Sequence, residues 1–470
     1  MSVTNTFLGT RGVAQLLKGR KKLWFIGIGG IQMHTLALAC RAKGFEVGGS
    51  DTCEGEGVQR LRAAGVEVHV GHHPTALADF DAVVYTLAID EQDPEFLTAI
   101  ALGVPVISRA DLLGWLSAAY PCRIGVAGSH GKSTVTAMLA EIFTRAGRDP
   151  TVFCGAMLPS GSAWREGNGE ACICEACEYG NSFLALSPTH TLLLNVDYDH
   201  ADFFENESLF HQAFAKLAAR TKKDGAVLFY EADENASKAA TASPAPCRSF
   251  GLAKGDCHAK NLQYEAGRGE FSLVLYGNEV GRVRLLVPGE HNVKNALAAA
   301  LCAAECGIEA ESILQGLASF KGAARRMEYR GLFCGVQLFD DYAHHPREIA
   351  AAIATARQIT PKTGRVFAVF QPHTYSRTKA FFKELCEALS KADRVILTDI
   401  YPAREKDTLG ISAAALAEEI GGIALCVSDL AEIPRLLKAQ TTPGDTLLVM
   451  GAGNVDRLFG QICANHFTLS

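Results

Sequence analysis
Lys132 stands in "GVAGSHGKSTVTAM" (125–138), directly before Ser133 and Thr134 and behind Gly128 and Gly131. This is the residue set that holds nucleotide phosphates. The backbone N–H groups of Gly128, Ser129, His130 and Gly131 can turn toward a phosphate, Lys132 can reach its outer oxygens, and Ser133 or Thr134 can offer a hydroxyl to Mg²⁺. The strict phosphate-loop spacing asks for a glycine where Val126 stands, so the pattern alone fails. The flanking residues supply what it lacks. "RIGVAG" (123–128) reads as an apolar strand, and residues 133–147 place Val135, Met138, Leu139, Ile142 and Phe143 on one helical face before Gly147 stops the helix. Strand, glycine-rich turn and helix follow in the order a phosphate site needs, which predicts ATP binding.

Other chemistry-bearing residues also sit at the ends of predicted elements. "NVDYDH" puts Asn195, Asp199 and His200 at the C-terminal end of an apolar strand, where α/β sheets keep their ligands. Asn292 and Asn295 open a helix and share a face, a placement that also suits capping. "FIGIGG" carries Gly27, Gly29 and Gly30 after a strand, with Asp51 ending the next one. That is most of a dinucleotide fingerprint, but its third glycine is replaced by Gln32, which weakens a reading as an NAD-dependent oxidoreductase. "ACICEACEYG" holds Cys172, Cys174 and Cys177. Without a second paired knuckle to complete a metal site, these predict a buried strand.

The elements that must position these residues form three α/β units. The first, 1–119, is predicted to be Rossmann-like, from "KLWFIGIGG" through "DAVVYT" and "GVPVIS". The second, 120–322, is predicted to be a phosphate-loop ATPase unit with a mixed sheet, its antiparallel part at 270–289 leading into a long helix from Glu290. The third, 323–470, alternates apolar runs with helical patterns such as "REIAAAIATARQ" and is again Rossmann-like. A length of 470 residues and 48% hydrophobic content suit several cores. A net charge of −6 with interspersed signs gives no footprint for nucleic acid. No run of 18 apolar residues and no leader-like N-terminus are seen, so a cytoplasmic enzyme acting on small molecules is expected. Monomer and homodimer both remain open.

The ordered series "GSHGKST", "CEACEYGNSF", "LLLNVDYDHADFF", "PGEHNVKNALAA", "GAARRME", "DDYAHHPREI", "VFQPHTYSRTK" and "VMGAGN" resembles the Mur ligases of peptidoglycan synthesis over essentially the whole chain, in wording like that of Gram-positive lineages. The resemblance implies ATP-driven joining of L-alanine to the lactyl carboxylate of UDP-N-acetylmuramate through an acyl phosphate, with Mg²⁺. It implies catalytic roles for Lys132, Glu175, His200 and Arg326, and metal binding by Ser133, Glu175 and His200. Asn292, Asn295, Arg326 and Asp341 join the loop 128–134 around ATP. Gly27, Gly29, Gly30, Asp51 and His345 fall to the UDP-sugar, and His344, His373 and Arg377 to the amino acid. Glu178 is expected to turn away from Glu175, because three steps along a strand reverse the face. Lys216 lies where some sister ligases carry a carbamylated lysine, and no such modification is expected here. Gln32 and His34 depart from the family's first-unit pattern.

Overall fold
The computed structural model describes residues 3–403 and 405–464, without the side chains of 463 and 464. Residues 465–470 of the third predicted unit lie outside it. The apolar runs form three sheets. The first is wholly parallel and ordered Glu67–Val70, Glu46–Asp51, Lys22–Ile26, Ala82–Tyr85, Val106–Ser108. Its chain order reverses at Lys22–Ile26, which delivers Gly27 to Gly30 to the crevice where such sheets bind ligands.

The second sheet has ten strands. Cys122–Ala127 lies at its centre between His190–Leu193 and Ala171–Glu175, both parallel to it. The C-terminal ends of these three strands carry the phosphate loop, Asn195 and Glu175. Cys257–Glu265, Arg268–Leu275 and Asn278–Pro288 extend one edge as an antiparallel meander. The first of these is less apparent in the sequence, because five of its nine residues are exposed. The helix Lys132–Arg145 packs beside Glu290–Glu305, an alanine-rich helix buried over most of its length.

The third sheet is parallel except for its edge strand Glu328–Phe333, and runs Glu328–Phe333, Val336–Asp341, Thr446–Met450, Val366–Phe370, Arg394–Leu397, Ala424–Cys426. The three-unit α/β architecture expected from the sequence is therefore present. Cys172 and Cys174 lie fully inside the Ala171–Glu175 strand, as expected for a buried run.

The units meet in two ways. The first and second share one apolar core, in which Phe25, Leu112 and Leu116 join Phe183, Leu186 and Phe214. At Gly114 the approach is so close that a Cβ would fall 2.3 Å from the Ala185 carbonyl oxygen. The third unit has two cores of its own, built from residues between Met327 and Ile462. It meets the second through charged groups.

Candidate functional site
The phosphate loop is drawn into shape by the strand beside it. The His130 N–H donates to Asn195 Oδ1 at 2.8 Å, and Asn195 Nδ2 donates back to the His130 carbonyl at 3.0 Å. The Ser129 N–H donates to the Asn195 carbonyl at 3.2 Å, and the Ser129 hydroxyl to the Asp197 carbonyl at 2.6 Å. Ser129 thus holds the loop shut with its side chain. Gly131 has a φ of +84° as it opens the Lys132–Arg145 helix, and a Cβ there would lie 2.6 Å from Asn295 Oδ1. Both the backbone and the space require glycine.

Lys132 Nζ donates to the Gly128 carbonyl at 2.5 Å and lies 2.9 Å from Glu178 Oε2. Burial is the largest influence and opposes its charge, but Glu178, Cys177 and Glu175 together outweigh it and hold the ammonium above its ordinary pKa. Burial likewise opposes Glu178's charge, and Lys132 with His200 holds that carboxyl below its usual range. His200 Nε2 lies 3.4 Å from Glu178 Oε1. Glu178 is therefore the link between Lys132 and His200, which corrects the expectation that it faces away. The strand ends at Glu175, and the chain turns before Glu178, so the period-two argument stops applying there. His200 itself has φ +57°, a costly conformation of the kind that gathers at functional sites.

Ser133 Oγ donates to Glu175 Oε2 at 2.8 Å, and the Gly155 N–H donates to the same oxygen at 2.7 Å. Buried Glu178 Oε2 has no well-aligned hydrogen bond. A hydroxyl and two buried carboxylates beside a phosphate loop are hard oxygen donors, which fit Mg²⁺. His200 offers nitrogen and reaches this group through Glu178.

Two cavities border this centre, and a third lies in the first unit. One, of about 480 Å³, extends from His130, Gly131 and Thr134 to Asn295, Arg326 and Asp341, with Tyr230 and Asn235 farther along. Asn292 Nδ2 donates to the Pro288 carbonyl and Asn295 Nδ2 to Asn292 Oδ1, so neither caps the helix, whose N-cap is Gly289. Burial pushes Asp341 up to about 6, with Arg326 opposing, and its oxygens accept the Met327 and Ala343 N–H groups.

A second cavity, of about 450 Å³, has Tyr179, Asp199 and His200 on one side, His373, Thr374, Arg377 and Tyr401 on the other, and Ala88 of the first unit at its edge. All three units thus line it. Arg377 Nη2 meets Asp199 Oδ1 at 3.0 Å, and His200 with Arg377 outweighs burial to hold that carboxyl far below its usual range. A third cavity, of about 220 Å³, contains Gly27, Gly30, Asp51 and Thr86. Asp51 Oδ2 accepts the Gly29 N–H at 2.8 Å.

His345 does not join Gly27, Gly29, Gly30 and Asp51. It is the N-cap of Pro346–Ile359, forms a capping box with Glu348, and packs its ring at an angle against His130 and edge-on against Phe381. The resemblance placed it with the UDP-sugar, but the following Pro346 fixes it as a helix start. His344 lies 6.0 Å from the ring of His373, at the third unit's inner face. His34 is buried, with Nδ1 on the Gly30 carbonyl, and Gln32 bonds Arg109. Lys216 is exposed on Glu207–Ala219. Asp197 and Glu348 were missed by the sequence reading. Asp197 pairs with Arg347, and Glu348 Oε1 lies 3.1 Å from His130 Nδ1. "NVD" and "PRE" are their only local signals.

Three family models match the chain in order: Mur ligase family, catalytic domain, over residues 22–121; Mur ligase middle domain over 126–303; and Mur ligase, glutamate ligase domain, over 325–453. The UDP-N-acetylmuramate–L-alanine ligase of Caldanaerobacter subterraneus is 39% identical over 93% of this chain and 95% of its own. That of Agathobacter rectalis is 41% identical over 92% and 95%. Among solved structures, the UDP-N-acetylmuramate–alanine ligase of Thermotoga maritima aligns with a TM-score of 0.81 at 27% identity, covering 94% of this chain and 98% of that one.

Proposed function
This chain belongs to the Mur ligase family, and on that premise we propose that it joins L-alanine to UDP-N-acetylmuramate at the expense of ATP. The relatives of about 40% identity that carry this activity in their names support the reading. The observation that carries it is the contact series Lys132, Glu178, His200, which leads from the phosphate loop to the cavity lined by all three units.

The chemistry follows from charge. A carboxylate attacking a γ-phosphate brings two anions together, so the site must place positive charge where negative charge gathers. Lys132 supplies it, held in place by Glu178 and the Gly128 carbonyl. Ser133, Glu175 and Glu178 would hold Mg²⁺, which when bound adds charge on the phosphate oxygens. In this reading ATP lies along the 480 Å³ cavity, its phosphates on residues 128–134 and the remainder near Asn292, Asn295, Arg326 and Asp341. The UDP end of the sugar nucleotide enters at Gly27, Gly29, Gly30 and Asp51, and its lactyl carboxylate reaches His200. Arg377 receives the alanine carboxylate and, with His344 and His373, turns the amine toward the activated carbonyl. The acyl phosphate then loses phosphate as the amide bond forms. We take 1–119, 120–322 and 323–470 as the three working domains, and the cytoplasm as the compartment, since ATP is supplied there.

Phosphate release from ATP and Mg²⁺ tests this. Release is expected only with both UDP-N-acetylmuramate and an amino acid, and faster with L-alanine than with glycine, L-serine or a muropeptide-type tripeptide. Release without the UDP-sugar, or a preference for the tripeptide, would overturn the assignment.

A further inference from the structure
At the end of the second sheet opposite the phosphate loop, two thiols and an imidazole from three distant parts of the chain converge. Cys122 begins the strand Cys122–Ala127, His190 begins His190–Leu193, and Cys306 is the C-cap of the helix Glu290–Glu305. Their ligand atoms all lie within 4.8 Å of one another. The strand register explains the meeting. His190 pairs with Ile124, two residues from Cys122, so both side chains share the sheet face that this helix covers. Cys302, one turn before Cys306, is buried and in side-chain contact with it.

We propose that Cys122, His190 and Cys306 bind a thiophilic divalent cation, Zn²⁺ by preference, with Cys302 the nearest thiol for the fourth position. Tetrahedral zinc with Zn–S bonds of about 2.3 Å separates its sulfurs by about 3.8 Å. Cys122 Sγ and Cys306 Sγ are 3.7 Å apart. The His190 ring is held by Thr189 Oγ1 at 3.0 Å from Nδ1, the type of outer hydrogen bond that orients ligating histidines. The helix C-terminus presents its negative end to the cluster, which favours a cation. Soft thiolates with one imidazole exclude Mg²⁺, so this site does not compete with the oxygen donors at the phosphate loop.

Binding converts each ligating thiol to a thiolate and releases one proton per cysteine to buffer. No electrons move. A bound ion would tie the start of the central strand to the end of the helix whose other end carries Asn292 and Asn295. It would act as a clamp behind the nucleotide cavity.

The test uses the full chain, reduced and stripped of metal, titrated with Co²⁺ and then Zn²⁺. A single Co²⁺ per chain is expected, with tetrahedral d–d and thiolate charge-transfer absorption that Zn²⁺ abolishes. Cys122→Ser and Cys306→Ser should lose the charge-transfer band, and His190→Asn should shift it. Cys172→Ser/Cys174→Ser should keep it, although that thiol pair lies 3.5 Å apart. Zn²⁺ should raise the melting temperature of the wild type but not of Cys122→Ser, with ATP-dependent phosphate release reporting that each variant is folded. The absence of a thiolate band overturns the proposal. So does a band that survives in both Cys122→Ser and Cys306→Ser, or a Cys122–Cys306 disulfide that forms equally fast with and without saturating Zn²⁺.

Discussion
The first and third units grip the second by different physics. The first shares a continuous apolar core with it, closed to the point that Gly114 admits no side chain. The third keeps its cores to itself and docks through Arg377 on Asp199, Arg347 on Asp197 and Glu348 on His130. An apolar seam is costly to open because it exposes its whole area to water. A polar one exchanges its partners for water and substrate at much lower cost. In the function proposed above, the UDP-sugar would then meet the fixed wall and the amino acid the wall held by polar contacts alone, the kind of contact that enzyme lids make and break.

The largest effect is expected where the fixed seam is cut. Phe183 lies in the shared core with its ring 5.3 Å from that of Phe214. Phe183→Ala should lower stability by about 3–5 kcal/mol, read by denaturant unfolding. If it costs no more than a surface change, the seam is not the rigid one.

Next comes Arg377→Ala, which removes one of the seam's two arginines and leaves the buried Asp199 carboxylate with His200 as its remaining close partner. Activity should fall by roughly 10²-fold or more, mostly as a higher KM for L-alanine, while the UDP-sugar KM stays near its wild-type value. Equal rises in both KM values would erase the contrast between the two walls.

Acid should loosen the third unit before the first. Burial lowers His344 to about 4 and His345 to about 3, from an ordinary value of 6.5. The unfolded chain takes up their protons near pH 6.5, whereas the folded chain resists until pH 4 to 3. Their stabilising contribution is therefore complete above pH 6.5 and lost as pH falls toward 4. His130 works in the other direction: burial opposes its charge, but Glu348 and Asp197 raise it, so its contribution is lost as pH rises. The seam carboxyls Asp199 and Glu348, both held below their usual range, also lose their contribution in acid, so scattering or limited proteolysis should find the third unit released as pH falls from 6.5 toward 4 while the first two stay together. Simultaneous loss of all three units would contradict this. The smallest effect belongs to Arg347→Ala. That side chain is 70% exposed, and its pair with Asp197 should be worth under about 1 kcal/mol.

The sequence made the centres of the three sheets legible, since each is an apolar run ending in glycine or a polar cluster. The positions of Lys132, Ser133 and Asn195 were readable because they follow from strand, turn and helix order. Glu178 was misplaced because strand alternation was carried past the residue where the strand ends. His345 was drawn to the sugar by motif resemblance, although Pro346 already marked a helix start. The polar seam had no local pattern at all: Asp197, Arg347 and Glu348 acquire meaning only when two units are set side by side. Cys122, His190, Cys302 and Cys306 lie up to 184 residues apart along the chain and could not be grouped before the sheet register was known.

Both walls serve one transfer, and isotope labelling observes it directly. UDP-N-acetylmuramate labelled with ¹⁸O in its lactyl carboxylate should, on turnover with ATP and L-alanine, yield inorganic phosphate carrying one ¹⁸O, and Lys132→Ala should slow this release by roughly 10²- to 10³-fold. Phosphate free of label, formed at the rate of amide synthesis, would show that the carboxylate is never phosphorylated and would contradict the account.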